Sequence, residues 1–114
     1  MHEAMVAQIL LTAIAQEAEK RNLKPISAKI SCGKFYAIHD DILNFAFEAI
    51  AKGTKCQGVK LNVEHKPARA ECKNCDITFD LDIDLFRCSK CNTEDIKILP
   101  DQPLLLEQIE FEDN

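Results

Sequence analysis

The 114-residue chain predicts an α+β fold: two helices packed on a three-stranded sheet, with a cysteine-rich segment inserted before the last strand. Three observations lead there. Two stretches carry apolar residues at helical spacing, two others alternate apolar and polar residues with a third apolar one near the end, and one stretch holds two Cys-x-x-Cys pairs among few aliphatic residues. A chain of this length supports one modest core with a small satellite, not two large domains.

From Glu3 to about Arg21, the residues Val6, Ile9, Leu10, Ala13 and Ile14 recur at helical spacing, and Gln16, Glu17, Glu19, Lys20 and Arg21 gather towards the end. This is the first helix. Asn22 to Pro25 breaks it, and PISAKISC then sets Ile26, Ala28, Ile30 and Cys32 on one face against Ser27, Lys29 and Ser31, a strand closing near Gly33. After KFYAIH, Asp40 or Asp41 caps a second helix whose apolar face is read as Ile42, Phe45, Ala46, Ala49 and Ile50, with Lys52 and Gly53 as its stop. GVKLNVEH turns Val59, Leu61 and Val63 inward against Lys60, Asn62 and Glu64, giving a second strand. LLLEQIEF, residues 104–111, is the third, and its apolar character places it back in the first sheet. The expected organisation is therefore one domain of 1–67 plus 102–114, interrupted by a second of 68–101.

The pairs CKNC (72–75) and CSKC (88–91) give C-x2-C-x12-C-x2-C. Each Cys-x-x-Cys turn aims two sulfurs at one ion, and two such turns supply Cys72, Cys75, Cys88 and Cys91 as four thiolates for a closed, structural Zn(II) site. An iron–sulfur cluster or two disulfides are the alternatives that the spacing leaves open. A segment so poor in apolar residues would draw most of its folding free energy from the ion. Cys32 and Cys56 stand alone, the first read as a small buried apolar residue and the second as a loop residue. His39 and His65 lack a partner ligand at recognisable spacing and are read as polar surface residues, His65 lying a few residues before Cys72.

The opening MHE allows a different chemistry. The Met1 amine, the His2 backbone nitrogen and His2 Nδ1 can close adjacent chelate rings round one ion, and Glu3 can add a fourth donor through its backbone nitrogen or its carboxylate. Such a planar, nitrogen-rich set suits Ni(II) or Cu(II) better than Zn(II). The other reading makes His2 and Glu3 plain helix-entry residues.

The formal net charge of −5 lacks the basic excess that nucleic-acid binding needs. The cysteine segment agrees, setting Arg69, Lys73, Arg87 and Lys90 against Glu71, Asp76, Asp80, Asp82 and Asp84. No apolar run approaches the length of a membrane span and no leader-like segment opens the sequence, so a cytoplasmic location with no membrane or nucleic-acid partner is expected. Paired carboxylates, a nucleophile–base pair and a phosphate loop are all missing from the pattern, so no enzyme is expected.

Taken together, MHE, FAFE at 45–48, GT at 53–54, EHKPARAECKNC, CSKC and the closing IEFE resemble the HypA/HybF nickel metallochaperones of hydrogenase maturation, over essentially the whole chain. The stretch SCGKFYAIHDD departs from the family's usual pattern. The resemblance implies a nickel-binding α/β domain over 1–67 plus 102–114 and a zinc-binding domain over 68–101. It also implies His2 as the primary nickel ligand with Met1 and Glu3 adjoining, and Cys72, Cys75, Cys88 and Cys91 on structural Zn(II). Ni(II) would be cargo, with a hydrogenase maturation GTPase and the nickel–iron hydrogenase large-subunit precursor as partners. Some relatives also supply urease. The rival reading is a zinc-ribbon protein-interaction or transcription-associated module with no nickel role.

Overall fold

A computed structural model describes residues 2–36, 38–82 and 84–112. It contains two helices, α1 (Glu3–Arg21) and α2 (Asp40–Ala51), and six strands, β1 (Pro25–Gly33), β2 (Lys60–Lys66), β3 (Arg69–Cys72), β4 (Ile77–Asp80), β5 (Ile96–Ile98) and β6 (Leu105–Phe111). The strands form two three-stranded sheets, ordered β2-β1-β6 and β4-β3-β5. The last strand returns to the first sheet as expected, pairing antiparallel with β1 from Pro25↔Phe111 to Ser31↔Leu105. Strands β3, β4 and β5 were not legible beforehand, since three or four residues are too few for alternation to register.

The chain divides into two compact units, one of Met1–Ser31, Ala37–Glu64 and Leu104–Asn114, the other of Cys32–Tyr36 and His65–Pro103. Residues 32–36 join the second unit because their backbone is held by its exit segment. The Gly33 N–H donates to the Gln102 carbonyl at 3.0 Å, and the Phe35 N–H donates to Asp101 Oδ2 at 3.0 Å.

In the first unit α1 packs along α2 and touches β6. Glu3 in the first turn and Lys20 and Arg21 in the last interact favourably with the helix dipole. Asn22 ends the helix in the left-handed region (φ 54°), and the Leu23 N–H reaches back to the Ala18 carbonyl. The buried stripe is Val6, Ala7, Leu10, Ile14 and Ala18, whereas Ile9, expected inside, is more than half exposed. In β1, Ala28, Ile30 and Cys32 are buried as the alternation required, but Ile26 is exposed. Ser31 is buried on the opposite face, where its hydroxyl donates to the Glu107 carboxylate at 2.5 Å.

Helix α2 corrects two expectations. Its N-cap is His39, and Asp40 and Asp41 lie within the first turn, favouring the dipole rather than capping. Its buried residues are Leu43, Phe47 and Ala51, not the stripe centred on Phe45: Phe47 is 1% exposed and Phe45 76%. The helix is apolar almost all round, so two stripes satisfy the helical period equally well. A polar anchor selects one of them. Asn44 Nδ2 donates to the Leu61 carbonyl at 3.0 Å, and the Leu61 N–H donates to Asn44 Oδ1 at 3.1 Å, fixing the rotation of α2 against the start of β2.

The second unit has a small core of Ala68, Ala70, Cys72, Phe79, Leu81 and Cys88, with Cys75, Ile77 and Ile96 packed against it. Across β3 and β4 the directly opposed Arg69 and Asp80 form an ion pair. Among the described residues, no helix is long and apolar enough to cross a membrane.

Candidate metal centres

The four sulfurs of Cys72, Cys75, Cys88 and Cys91 all lie within 4.8 Å of one another. Sulfurs at about 2.3 Å from a tetrahedral ion stand about 3.8 Å apart, and Cys72 Sγ lies 3.6 Å from Cys91 Sγ. The set fits one Zn(II). Two similar turns build it. Asp76, following the first pair, has φ 56° and its N–H donates to the Cys72 carbonyl at 2.9 Å; Asn92, following the second, has φ 63° and bonds the Cys88 carbonyl at 3.0 Å. Asp and Asn tolerate the left-handed backbone these turns need, a sequence signal that the spacing alone leaves unread.

Backbone donors in the same turns tune the thiols. The Cys91 and Lys90 N–H groups reach Cys88 Sγ at 3.4 and 3.3 Å, and they hold the Cys88 thiol down at about 6, Cys91 having the larger effect. Cys75 is pushed up to about 12, first by its hydrogen bond with the Cys91 thiol and then by burial, and Cys72 is raised chiefly by burial. Cys88 therefore ionises before Cys72 and Cys75, and an ion that requires all four thiolates displaces protons from the set.

At the other end of the chain, Met1 lies outside the described residues. His2 is the N-cap of α1, with extended backbone (φ −78°, ψ 132°) and a carbonyl that accepts the Met5 and Val6 N–H groups. Its imidazole is exposed and makes no capping hydrogen bond. Glu3 is engaged elsewhere: its Oε2 accepts the His39 N–H at 3.0 Å and stands 3.2 Å from His39 Nδ1. This junction of the two helix starts was missed in the sequence because its members lie 36 residues apart.

The same contacts set the charge state of Glu3. The His39 N–H, then Glu3's own N–H and the His39 ring, hold its carboxyl below the ordinary value of 4.5. A carboxyl depressed by folding stabilises the native state above its unfolded pKa and ceases to do so as the pH falls through its folded value. Acid unfolding of Glu3→Gln should therefore show a flatter stability profile than the parent as the pH falls below the ordinary carboxyl value of 4.5, as read by thermal melts. Parallel profiles would show that the junction carries no charge-dependent stability.

Cys32 and Cys56 are both buried, Cys56 within the turns that join α2 to β2, where burial raises its thiol. His39 and His65 are exposed, and His65 Nδ1 lies 3.6 Å from Cys32 Sγ.

Residues 1–111 match the family model described as hydrogenase/urease nickel incorporation, metallochaperone, hypA. A hydrogenase maturation factor HypA of Aeromonas salmonicida is 31% identical over 111 residues, covering 96% of this chain and 98% of its own length. The hydrogenase maturation factor HybF of Escherichia coli K12 is 27% identical over 113 residues, covering 98% of this chain and all of its own. The solution structure of the Ni metallochaperone HypA from Helicobacter pylori matches with a TM-score of 0.63 at 24% identity over 97% of each chain. A second solution structure, of a HypA protein, matches with a TM-score of 0.70 at 23% identity over 98% of this chain and 97% of its own. These relatives are maturation factors rather than enzymes, and with the family match spanning both helices, both sheets and the cysteine quartet, the chain belongs to the HypA/HybF family of hydrogenase-maturation nickel metallochaperones.

Proposed function

We propose that this protein binds Ni(II) at its N-terminus and delivers it in the cytoplasm during maturation of nickel–iron hydrogenase. In this reading residues 1–67 with 102–114 form the nickel-binding domain, and 68–101 form a domain built on structural Zn(II) held by Cys72, Cys75, Cys88 and Cys91. A maturation GTPase and the hydrogenase large-subunit precursor are the partners, with urease a second client as in the family's description.

The observation that carries the reading is the exposed, uncapped His2 ring at a helix start, in a chain whose family match begins at residue 1. The first N–H groups of a helix have no intrahelical acceptor, so recruiting the His2 and Glu3 backbone nitrogens as ligands breaks no helical hydrogen bond. Because the Glu3 carboxylate is held by His39, the backbone nitrogen of Glu3 is the better fourth donor. The carboxylate then serves to fix the helix start beneath the site. Delivery needs an ion that can leave, which an exposed terminal site permits and a closed quartet does not. All these ligands bind deprotonated, so acid weakens the site.

The test is nickel titration of untagged protein. His2→Ala should lower nickel affinity by at least about tenfold, the scale on which even supporting residues of a metal site act. An N-terminal extension, which removes the free amine, should do the same, and Glu3→Gln should retain most of the binding. Unchanged affinity in His2→Ala would leave the protein-interaction module as the better reading.

A further inference from the structure

Cys32 and His65 lie on neighbouring strands, β1 and β2, near the ends that belong to the second unit. Neither is part of the cysteine quartet, and neither is used by the terminal site. Their chemistry is that of a ligand pair. Cys32 is 0% exposed and approaches His65 Nδ1 at 3.6 Å, while the His65 ring faces solvent. A sulfur at about 2.3 Å and an imidazole nitrogen at about 2.0 Å from a tetrahedral ion stand about 3.5 Å apart. The 3.6 Å thiol–imidazole hydrogen bond thus already sets the two atoms at the separation of neighbouring ligands on one ion.

We propose that Cys32 and His65 form a second divalent-cation site, distinct from the quartet and from the N-terminus, that takes a borderline ion such as Zn(II), Co(II) or Ni(II) on one thiolate and one imidazole.

The surroundings fit a weak, exchangeable site. His65 lines a cavity of about 400 Å³ together with Lys34, Pro67, Ala68, Leu81, Asp82 and Asp84. The cavity reaches the imidazole and not the buried thiol, so an ion would enter past the His65 ring. The Asp82 and Asp84 carboxylates draw a cation towards it, and the Lys34 ammonium opposes them. A mixed thiolate–imidazole set selects borderline divalent ions over Mg(II) or Ca(II), which prefer oxygen. On binding, the Cys32 S–H bond breaks, its proton passes to buffer, and the sulfur's electron pair forms the bond to the ion. No electron is exchanged with an outside reagent.

The experiment uses Co(II) as probe on the full chain, carrying His2→Ala to remove the terminal site and loaded with one equivalent of Zn(II) to fill the quartet. One further equivalent of Co(II) should bind and give a thiolate-to-cobalt charge-transfer band. Cys32→Ala should abolish that band, and His65→Gln should weaken binding by more than about tenfold. Failure of the zinc-loaded His2→Ala protein to develop the band would overturn the proposal, as would a band that survives Cys32→Ala. Should Cys32→Ala not fold, the exposed His65 decides, because unchanged cobalt affinity in His65→Gln also rejects the site. The terminal nickel site has no part in the outcome, so either proposal can fail alone.

Discussion

Withdrawal of the zinc proposed for the cysteine quartet, by a chelator under reducing conditions, is expected to unfold the segment from His65 to Pro103 while leaving the helical signal of α1 and α2. Few of the segment's large apolar side chains are buried to hold it, and Leu85, Phe86 and Ile98 are exposed. Among the described residues, Phe79 and Leu81 are the large ones inside its core, with Ile77 and Ile96 partly covered. Each contributes on the order of 1.5–3 kcal/mol, against about 1–2 kcal/mol of backbone entropy for every residue ordered. Structural zinc supplies roughly 10–16 kcal/mol at neutral pH, more than this core can replace. The first unit has its own interior of Val6, Leu10, Ile14, Ile30, Leu43 and Phe47, so it should survive. Amide hydrogen exchange separates the two. Rapid exchange confined to β3, β4 and β5 after chelation is expected, and Cys72→Ser should behave likewise. Continued protection of those strands without metal would show that the quartet is not what folds them.

The next largest effect is expected in α2. Phe47→Ala should cost about 3–5 kcal/mol, the range for deleting a buried aromatic side chain, a large share of the roughly 5–15 kcal/mol that a domain possesses. Phe45→Ala, two residues away and exposed, should fall within about 0.5 kcal/mol of the parent. Urea denaturation of the two variants side by side reads the difference as a displaced midpoint for Phe47→Ala alone. Equal losses would mean that Phe45 is covered in solution and that the helix is rotated from its position here.

That contrast marks where the sequence is legible and where it is not. The existence of α1, α2, β1, β2 and β6 follows from periodicity, because each runs long enough for a 3.6 or 2.0 repeat to appear. The rotation of α2 does not follow. Its apolar residues admit two faces, and the choice rests on Asn44 meeting the backbone of Leu61, a tertiary contact. The convergence of the cysteines is legible because ligand spacing is a local property of each turn, whereas the short strands between them are not. Glu3 with His39, and Cys32 with His65, are pairs of ordinary residues at long separation. They acquire meaning only when strand order and helix packing bring them together.

The Gly33 and Asp101 contact has a consequence for how this sequence can vary. A β-carbon at Gly33 would stand 1.9 Å from Asp101 Oδ1, in the volume that the carboxylate occupies while it accepts the Phe35 N–H. Position 33 is therefore kept empty for the sake of position 101. Any side chain introduced at 33 turns the Asp101 carboxylate aside and hands the exposed Phe35 amide to water. The two positions, 68 residues apart, are therefore coupled through one movable side chain, and the occupant of 33 decides whether Asp101 can hold the backbone of residue 35.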